Sequence, residues 1–203
     1  MERFEELKNE ILRRAHEAHA CTEQYGRAYK SETLDGLMQV VRDNFHWCCN
    51  NKVLDGALID AYREEFNAGK IWHNEESITE GFMLMDGSSQ GVFYGSSQGE
   101  FYGSSRGEFY GSSQGVFHDS SRGVFHDSSR GEFYGSSRGE FYGSSQGEFY
   151  GSSQGVFHDS SYAISYDVME CELHDHALYR IISRNEVRYA DSEMKFVKVE
   201  EGK

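Results

Sequence analysis

The chain has 203 residues, no proline, and no apolar run long enough to cross a membrane. Its formal net charge is −14 and acidic residues are in excess in every segment, which argues against direct binding to nucleic-acid phosphates. No signal-peptide pattern is present, so we expect a soluble, cytoplasmic protein that does not enter a membrane. The four cysteines lack disulfide or zinc spacing and are expected to be reduced thiols.

Residues 1–70 have helical periodicity and are predicted to form a small capping module. Apolar side chains recur every three or four residues, while acidic residues precede basic ones in the first helix. The segment between Cys21 and Lys30 lacks periodicity and is expected to be a connection. The predicted helices run from Glu2 to His19, from a cap at Ser31 or Thr33 to Asn50, and from a cap at Asp55 to Asn67.

Residues 87–158 spell one eight-residue phrase nine times without insertion or deletion: [Gly/Asp]-Ser-Ser-[Gln/Arg]-Gly-[Val/Glu]-Phe-[Tyr/His]. A fixed period of this kind indicates units that bury their apolar faces only by stacking. Within the repeat, Ser, Gly and Phe at positions 3, 5 and 7 alternate with polar residues at positions 4, 6 and 8. This period of two predicts a short strand with phenylalanine inward, and the Gly or Asp at position 1 predicts a tight turn.

The repeats are predicted to stack as a β-solenoid, so the protein is mainly β. Two repeats in each 16-residue coil give a two-sided roll, in which Phe faces Ser across the core and Gly faces Gly. Three repeats in each coil give a triangular prism with three phenylalanine ladders on one axis, which we expect to be overfilled. We therefore favour the two-sided roll.

The segments beside the regular repeats keep the eight-residue step. Residues 71–86 are interpreted as a transition into the first coil, with Met83 and Met85 where Gly and Phe follow later. Residues 159–203 are interpreted as degenerate closing coils and a tail, because the open end of a solenoid has to be covered. The inward triplets expected there are Met169/Cys171/Leu173, Ala177/Tyr179/Ile181 and Asn185/Val187/Tyr189, followed by a last copy at Asp191–Lys198.

Three segments carry a resemblance to a known group. The run from Ala20 to Leu34, the Asn44-Phe-His-Trp-Cys-Cys49 segment and a repeat array that ends in Cys-Glu-Leu resemble uncharacterised bacterial proteins. Those proteins join a short helical module to octapeptide repeats, usually with Ala-x-Val-x-Ala inward. The resemblance implies the architecture and assigns no functional residue, and this chain differs from the group in using Ser-x-Gly-x-Phe.

The outward face of the repeats is the candidate interaction surface. It combines aromatic, acidic and basic side chains at regular spacing, and cross-strand Arg–Glu and Tyr–Tyr neighbours would also stabilise the stack itself. The residues are Tyr94, Tyr102, Tyr110, Tyr134, Tyr142, Tyr150, Glu100, Glu108, Glu132, Glu140, Glu148, Arg106, Arg122, Arg130 and Arg138.

Other polar residues give weaker signals, and we predict no catalytic, cofactor or metal residue. The His-Asp-Ser-Ser runs at His118, His126 and His158 contain the residue types of a catalytic triad, yet they occupy one repeat position and are interpreted as repeat variation. Clusters at His174-Asp175-His176 and in the helical module have no recognised ligand spacing. The module residues are His16, His19, Cys21, His46, Cys48 and Cys49.

These features favour a non-enzymatic binding or scaffold protein that presents a rigid Tyr/Glu/Arg surface to a protein partner. One version is an inhibitor whose spaced carboxylates mimic nucleic acid. Two alternatives stay open: a structural protein that self-associates into oligomers or fibres through the solenoid, and a small enzyme or regulator whose activity lies in the helical module.

Overall fold

A computed structural model describes residues 2–190, and it shows six helices followed by sixteen strands. The helices are α1 (Glu2–Glu17), α2 (Thr22–Lys30), α3 (Leu34–Asp43), α4 (Phe45–Asn50), α5 (Gly56–Ala61) and α6 (Arg63–Ala68). The strands are β1 (Ile71–His73), β2 (Ser77–Ile78), β3 (Phe82–Met85), β4 (Gln90–Phe93), β5 (Gln98–Phe101), β6 (Arg106–Phe109), β7 (Gln114–Phe117), β8 (Arg122–Phe125), β9 (Arg130–Phe133), β10 (Arg138–Phe141), β11 (Gln146–Phe149), β12 (Gln154–Phe157), β13 (Tyr162–Ser165), β14 (Glu170–Leu173), β15 (Leu178–Ile181) and β16 (Glu186–Tyr189).

The helical module differs from its prediction in three places. Cys21–Lys30 is not a connection, because Thr22–Lys30 forms α2, which packs between α1 and α3 and buries Ala28. The second predicted helix is broken at Asn44, whose backbone leaves helical geometry, and the third is broken in the same way at Tyr62. The caps at Thr33 and Asp55 are confirmed, since each side chain accepts a hydrogen bond from a backbone N–H three residues ahead.

The strands form a two-sided β-solenoid with 16 residues in each coil, as predicted. From β3 to β13, each strand pairs in parallel with the strand 16 residues further on, so that Gly91 lies beside Gly107 and Phe93 beside Phe109. Odd-numbered strands from β1 to β15, with β16 added at the end, form a nine-stranded sheet within residues 2–190. Even-numbered strands from β2 to β14 form the facing seven-stranded sheet.

The core is a column of phenylalanine rings. Rings of successive coils stack, with centroids 4.4 Å apart for Phe101 and Phe117, while rings from facing sheets meet edge to face at 5.6 Å for Phe101 and Phe109. The prediction that Gly faces Gly is wrong, since each repeat glycine from Gly99 to Gly155 lies against phenylalanine rings of its own strand and of the facing strand, and Gly91 lies against Met83 and Met85. A side chain larger than hydrogen at this repeat position would occupy the space that the rings fill.

Serine and aspartate complete the turns. The position-3 serines from Ser97 to Ser153 are buried, and most donate their hydroxyl hydrogen to the carbonyl oxygen three residues earlier, as Ser113 does to Tyr110. Asp127 has a positive φ of 58°, like the glycines at the same position. Its carboxylate also accepts a hydrogen bond of 3.0 Å from the backbone N–H of Gly111 in the preceding coil. This bond explains why aspartate replaces glycine at some turns.

The two ends of the solenoid are closed differently. Met83 lies beside Gly99 and Met85 beside Phe101, which confirms the register predicted for the transition segment. At the other end β16 does not begin a new coil, because it folds back antiparallel to β15. Val187 and Tyr189 are therefore exposed instead of inward-facing. The predicted last copy, Asp191–Lys198, lies outside the described residues.

Candidate functional site

Aromatic rings at repeat position 8 stack into one ladder along each sheet. On the seven-stranded sheet the ladder begins with Tyr94 and Tyr110, whose centroids are 5.4 Å apart, and continues through His126, Tyr142, His158 and His174. On the nine-stranded sheet it contains Tyr102, His118, Tyr134 and Tyr150. The division of the six predicted tyrosines between two faces is thus observed, and histidine continues the stack where tyrosine is absent.

The two repeat glutamates of the seven-stranded sheet, Glu108 and Glu140, pair with tyrosines and not with arginines. Glu108 accepts a hydrogen bond from the hydroxyl of Tyr110, and Glu140 accepts one from the hydroxyl of Tyr142. These hydrogen bonds are the main reason that the pKa of each tyrosine rises to about 12. Both carboxylates therefore already have a hydrogen-bond partner within the chain.

Three repeat arginines form a row on the outer surface of the same sheet. Arg106, Arg122 and Arg138, here called the arginine row, lie directly beside one another in β6, β8 and β10, and all three are exposed. The predicted Arg–Glu ion pairs are not found, since no guanidinium of the row has an ion-pair partner within residues 2–190. The fourth arginine, Arg130, lies on the other sheet between Gln114 and Gln146.

The remaining predicted glutamates occupy the nine-stranded sheet in two different environments. Glu132 and Glu148 are exposed and lie beside each other, and each accepts a hydrogen bond of 3.1 Å from the tyrosine two residues ahead. Glu100 occupies the same repeat position, yet its side chain is only 3% exposed because α4 covers it. Its ladder neighbours in adjacent coils are the apolar residues Leu84 and Val116.

Two histidines meet the buried carboxylate of Glu100. His46 Nδ1 in α4 lies 2.6 Å from Glu100 Oε1, and His118 Nε2 lies 3.3 Å from Glu100 Oε2. The hydrogen bond to Glu100 raises the pKa of His46 above its usual value, although burial acts in the opposite direction. One donor atom from each of His46, Glu100 and His118 lies within 4.8 Å of the other two. We call these three residues the junction cluster.

A second set of side chains orients the junction cluster. Asn50 Nδ2 lies 2.8 Å from His46 Nε2, and the Tyr102 hydroxyl donates a 2.9 Å hydrogen bond to Asn50 Oδ1. The His118 ring is sandwiched in the aromatic ladder, 4.6 Å from Tyr102. A cleft of about 230 Å³ opens beside the cluster. It is lined by Phe45, His46, Gln98, Gly99, Glu100, Gln114, Val116 and Glu132.

The sequence pattern singles out His46, Glu100 and His118 for separate reasons and does not group them. It grouped His46 with cysteines of the helical module, whereas Cys48 and Cys49 point into the module core. Burial raises the pKa of Cys48 to about 12, so its thiolate is disfavoured as a ligand or nucleophile. The repeat register does place Glu100 and His118 in adjacent coils, but the docking of α4 over them is a tertiary contact without a sequence signature.

The other histidine sets do not converge on a catalytic arrangement. Asp119, which follows His118, accepts a hydrogen bond from a backbone N–H of the preceding coil, and Ser121 donates to the His118 carbonyl oxygen. His174 likewise stacks on His158 as a ladder member. His16 contacts Tyr25 edge to face beside a shallow pocket that also includes His19.

An apolar pocket of about 250 Å³ lies within the helical module, lined mainly by Ile11, Ala15, Tyr25, Val40, Val41 and Trp47. Few polar groups converge on it, so it lacks the groups that fix a ligand's orientation. No helix within residues 2–190 is both long and apolar enough to cross a membrane. Comparison of the chain with protein-family models, curated proteins and solved structures finds no match.

Proposed function

We propose that the protein is a non-enzymatic, cytoplasmic scaffold that presents its seven-stranded sheet to an acidic surface of a partner protein. The observation that carries this proposal is the arginine row. Three guanidinium groups lie in consecutive coils, and none of them has an ion-pair partner among the described residues. Like charges directly opposite each other destabilise a sheet, so carboxylates from a partner would remove an unfavourable interaction and form charge-assisted hydrogen bonds.

The surroundings of the row suit protein recognition. Glu108 and Glu140 are held by tyrosine hydroxyls and do not neutralise the arginines. Tyr110 and Tyr142 add half-buried rings to the ladder at the edge of the same sheet. Arginine and tyrosine are enriched at protein interfaces, and a stacked ladder loses little conformational entropy when it binds.

This arrangement gives less support to the nucleic-acid mimic. Glu100 is buried, and the glutamates of the seven-stranded sheet alternate with valines, so the carboxylates do not form an unbroken row. The net charge of −14 opposes a polyanionic partner such as nucleic acid, but not a local acidic patch on a protein.

The other two functional hypotheses also have weaker support. Self-association by continuing the coils at the end of the nine-stranded sheet is opposed by β16, because its antiparallel pairing with β15 ends the parallel register that a second copy would extend. Enzymatic activity in the helical module is opposed by the burial of Cys48 and Cys49, which raises the pKa of both thiols. The resemblance to octapeptide-repeat proteins supports the architecture and adds no activity.

Titration of a fluorescein-labelled polyglutamate peptide followed by fluorescence anisotropy tests the proposal. We expect wild-type protein to bind the peptide at low salt, and Arg106→Gln/Arg122→Gln/Arg138→Gln to bind at least about tenfold more weakly, since a hydrogen bond to a charged group makes a net contribution of about 1.5–3 kcal/mol. Arg130→Gln is the matched control, because it removes an exposed repeat arginine from the other sheet. Equal loss in the control, or unchanged binding by the triple variant, would contradict the proposal.

A second titration separates the two classes of partner. Duplex DNA of equal charge is expected to bind more weakly than polyglutamate, because a flexible peptide can align its carboxylates with the arginine row, whereas a rigid duplex also brings its remaining phosphates against the acidic surface. Tighter binding of the DNA, abolished by the same triple variant, would replace the protein partner with a nucleic acid.

A further inference from the structure

We propose that the junction cluster of His46, Glu100 and His118 binds one Zn²⁺ ion, which joins the helical module to the solenoid. The three side chains come from α4, β5 and the turn after β7, so a shared ion would cross-link segments that are far apart in sequence. This site is independent of the arginine row, which lies on the opposite sheet.

The donor set fits zinc. Imidazole nitrogen and carboxylate oxygen are zinc ligands, and three protein ligands with one open position are a common zinc arrangement. Metal–ligand bonds of about 2.0–2.1 Å in a tetrahedron place ligand atoms about 3.3 Å apart. His118 Nε2 lies 3.3 Å from Glu100 Oε2, and His46 Nδ1 lies 2.6 Å from the other carboxylate oxygen, Oε1. With one ligand atom taken from each residue, the three atoms lie within 4.8 Å of one another. Side-chain shifts of about 1 Å therefore suffice to admit the ion.

The burial of Glu100 provides the second argument. A carboxylate that is 3% exposed, between leucine and valine in its ladder, carries a large desolvation cost unless its charge is compensated. Hydrogen bonds from two imidazoles compensate it in part, whereas a divalent cation compensates it fully. The same repeat position holds valine in several coils, so packing alone does not require a charge here.

The surrounding residues can support a bound ion without rearrangement of the backbone. A histidine that binds metal through Nδ1 has a protonated Nε2, which needs an acceptor. Asn50 supplies its carbonyl oxygen to His46 after a rotation of the amide, and its NH₂ group then donates to the Tyr102 hydroxyl. The His118 ring is fixed by its stack with Tyr102 and Tyr134. The open position of the ion would face the cleft of about 230 Å³.

The repeat itself supplies a matched pair of variants. Tyrosine occupies position 8 in many coils, so His118→Tyr removes a ligand and preserves the aromatic ladder. His126→Tyr makes the same change on the other sheet, where His126 lies 3.5 Å from Glu108 and far from α4. His46→Gln is a second ligand variant that is expected to fold, because the His46 side chain is 48% exposed.

The experiment is a Zn²⁺ titration of the full chain, after treatment with a chelator, by competition with a zinc-sensitive dye. We expect one Zn²⁺ per chain, a rise in Tm on zinc addition, and affinity at least about tenfold lower for His118→Tyr and His46→Gln than for His126→Tyr or wild type. Equal affinity of His118→Tyr and wild type, no stoichiometric zinc binding by wild type, or an equal Tm rise with Mg²⁺ would overturn the proposal.

Cobalt substitution distinguishes this site from one built on cysteine. Co²⁺ bound by two imidazoles and a carboxylate gives visible d–d bands without the near-ultraviolet charge-transfer band of a thiolate ligand. A thiolate band, or loss of zinc binding in Cys21→Ser with His118→Tyr unaffected, would place the ion elsewhere and also overturn the proposal.

Discussion

Gly115 lies so close to Phe109 that a Cβ atom added to the glycine would be 2.5 Å from Cζ of the ring. The same glycine also lies against Phe117 of its own strand, with a Cβ-to-ring distance of 2.7 Å. The rings of two facing strands thus pack into the space left at Gly115. The repeat pairs its largest apolar side chain with its smallest residue, and the two cannot vary independently.

Gly115→Ala is therefore expected to destabilise the protein although alanine has a higher strand propensity than glycine. Overpacking of a dense core costs about 1–3 kcal/mol. Gly26→Ala is the control, because Gly26 lies in α2 with no neighbouring atom within 4 Å of an added Cβ. We expect Gly26→Ala to raise the free energy of unfolding by up to about 1 kcal/mol. Urea unfolding measures both, and a stabilising Gly115→Ala would contradict the packing described here.

The turn aspartates give a second prediction. Asp127 combines a φ of 58° with a hydrogen bond to the Gly111 backbone N–H, so Asp127→Ala loses the bond and retains an unfavourable backbone. We expect a cost of about 1–2 kcal/mol in the free energy of unfolding. Asp127→Gly loses only the bond and is expected to cost less than about 1 kcal/mol. Equal losses in thermal unfolding of the two variants would show that backbone conformation is unimportant at this turn.

The repeat register was predictable from sequence because it depends on local rules. A period of two fixes which residues face inward, and a residue that tolerates positive φ marks each turn. Those rules alone place Phe125 in the core and Tyr110 in the outer ladder, where the structure has them. They also extended correctly to Met85, where the repeat phrase is no longer recognisable.

Features that depend on contacts across the core or between segments were predicted poorly. The rules do not specify the offset between facing strands. The prediction that Gly faces Gly is wrong for that reason, since the repeat glycine faces a Phe ring. Glu108 was expected to pair with arginine, but it accepts a hydrogen bond from the hydroxyl of Tyr110, two residues further along the chain. The junction cluster depends on where α4 docks, and one glutamate of five becomes buried for that reason alone.

The tyrosine–glutamate hydrogen bonds predict that these tyrosines lose their hydroxyl protons at a higher pH than ordinary tyrosines. Tyr142 has a pKa of about 12 against an ordinary value of 10.0, because its hydroxyl donates a hydrogen bond to Glu140. A folded-state pKa above the unfolded value stabilises the fold below pH 10, and this contribution is lost as the pH rises toward 12. The contribution is small because the Tyr142 side chain is only partly buried and solvent screens the interaction.

Glu140→Gln is expected to lower the pKa of Tyr142 toward 10, since an amide oxygen accepts the hydrogen bond without the negative charge. The chemical shift of ¹³Cζ in labelled tyrosine reports each residue separately. Glu172→Gln is the control, because Glu172 is an exposed glutamate on the same sheet beside His174 and leaves the Tyr142 pair intact. An unchanged Tyr142 titration in Glu140→Gln would show that the raised pKa has another cause.

The arginine row predicts a salt-dependent gain in stability on removal of its central charge. Arg122 lies between Arg106 and Arg138, whereas Arg130 lies between two glutamines at the same repeat position. Arg122→Gln is expected to raise the free energy of unfolding by about 0.2–1 kcal/mol at low ionic strength, because it removes two like-charge cross-strand pairs. The gain is expected to shrink in about 1 M salt, where the Debye length falls to about 3 Å, while Arg130→Gln has little effect at either salt concentration. Chemical denaturation at two ionic strengths measures this difference, and a destabilised Arg122→Gln would mean that the row already has counter-charges within the chain.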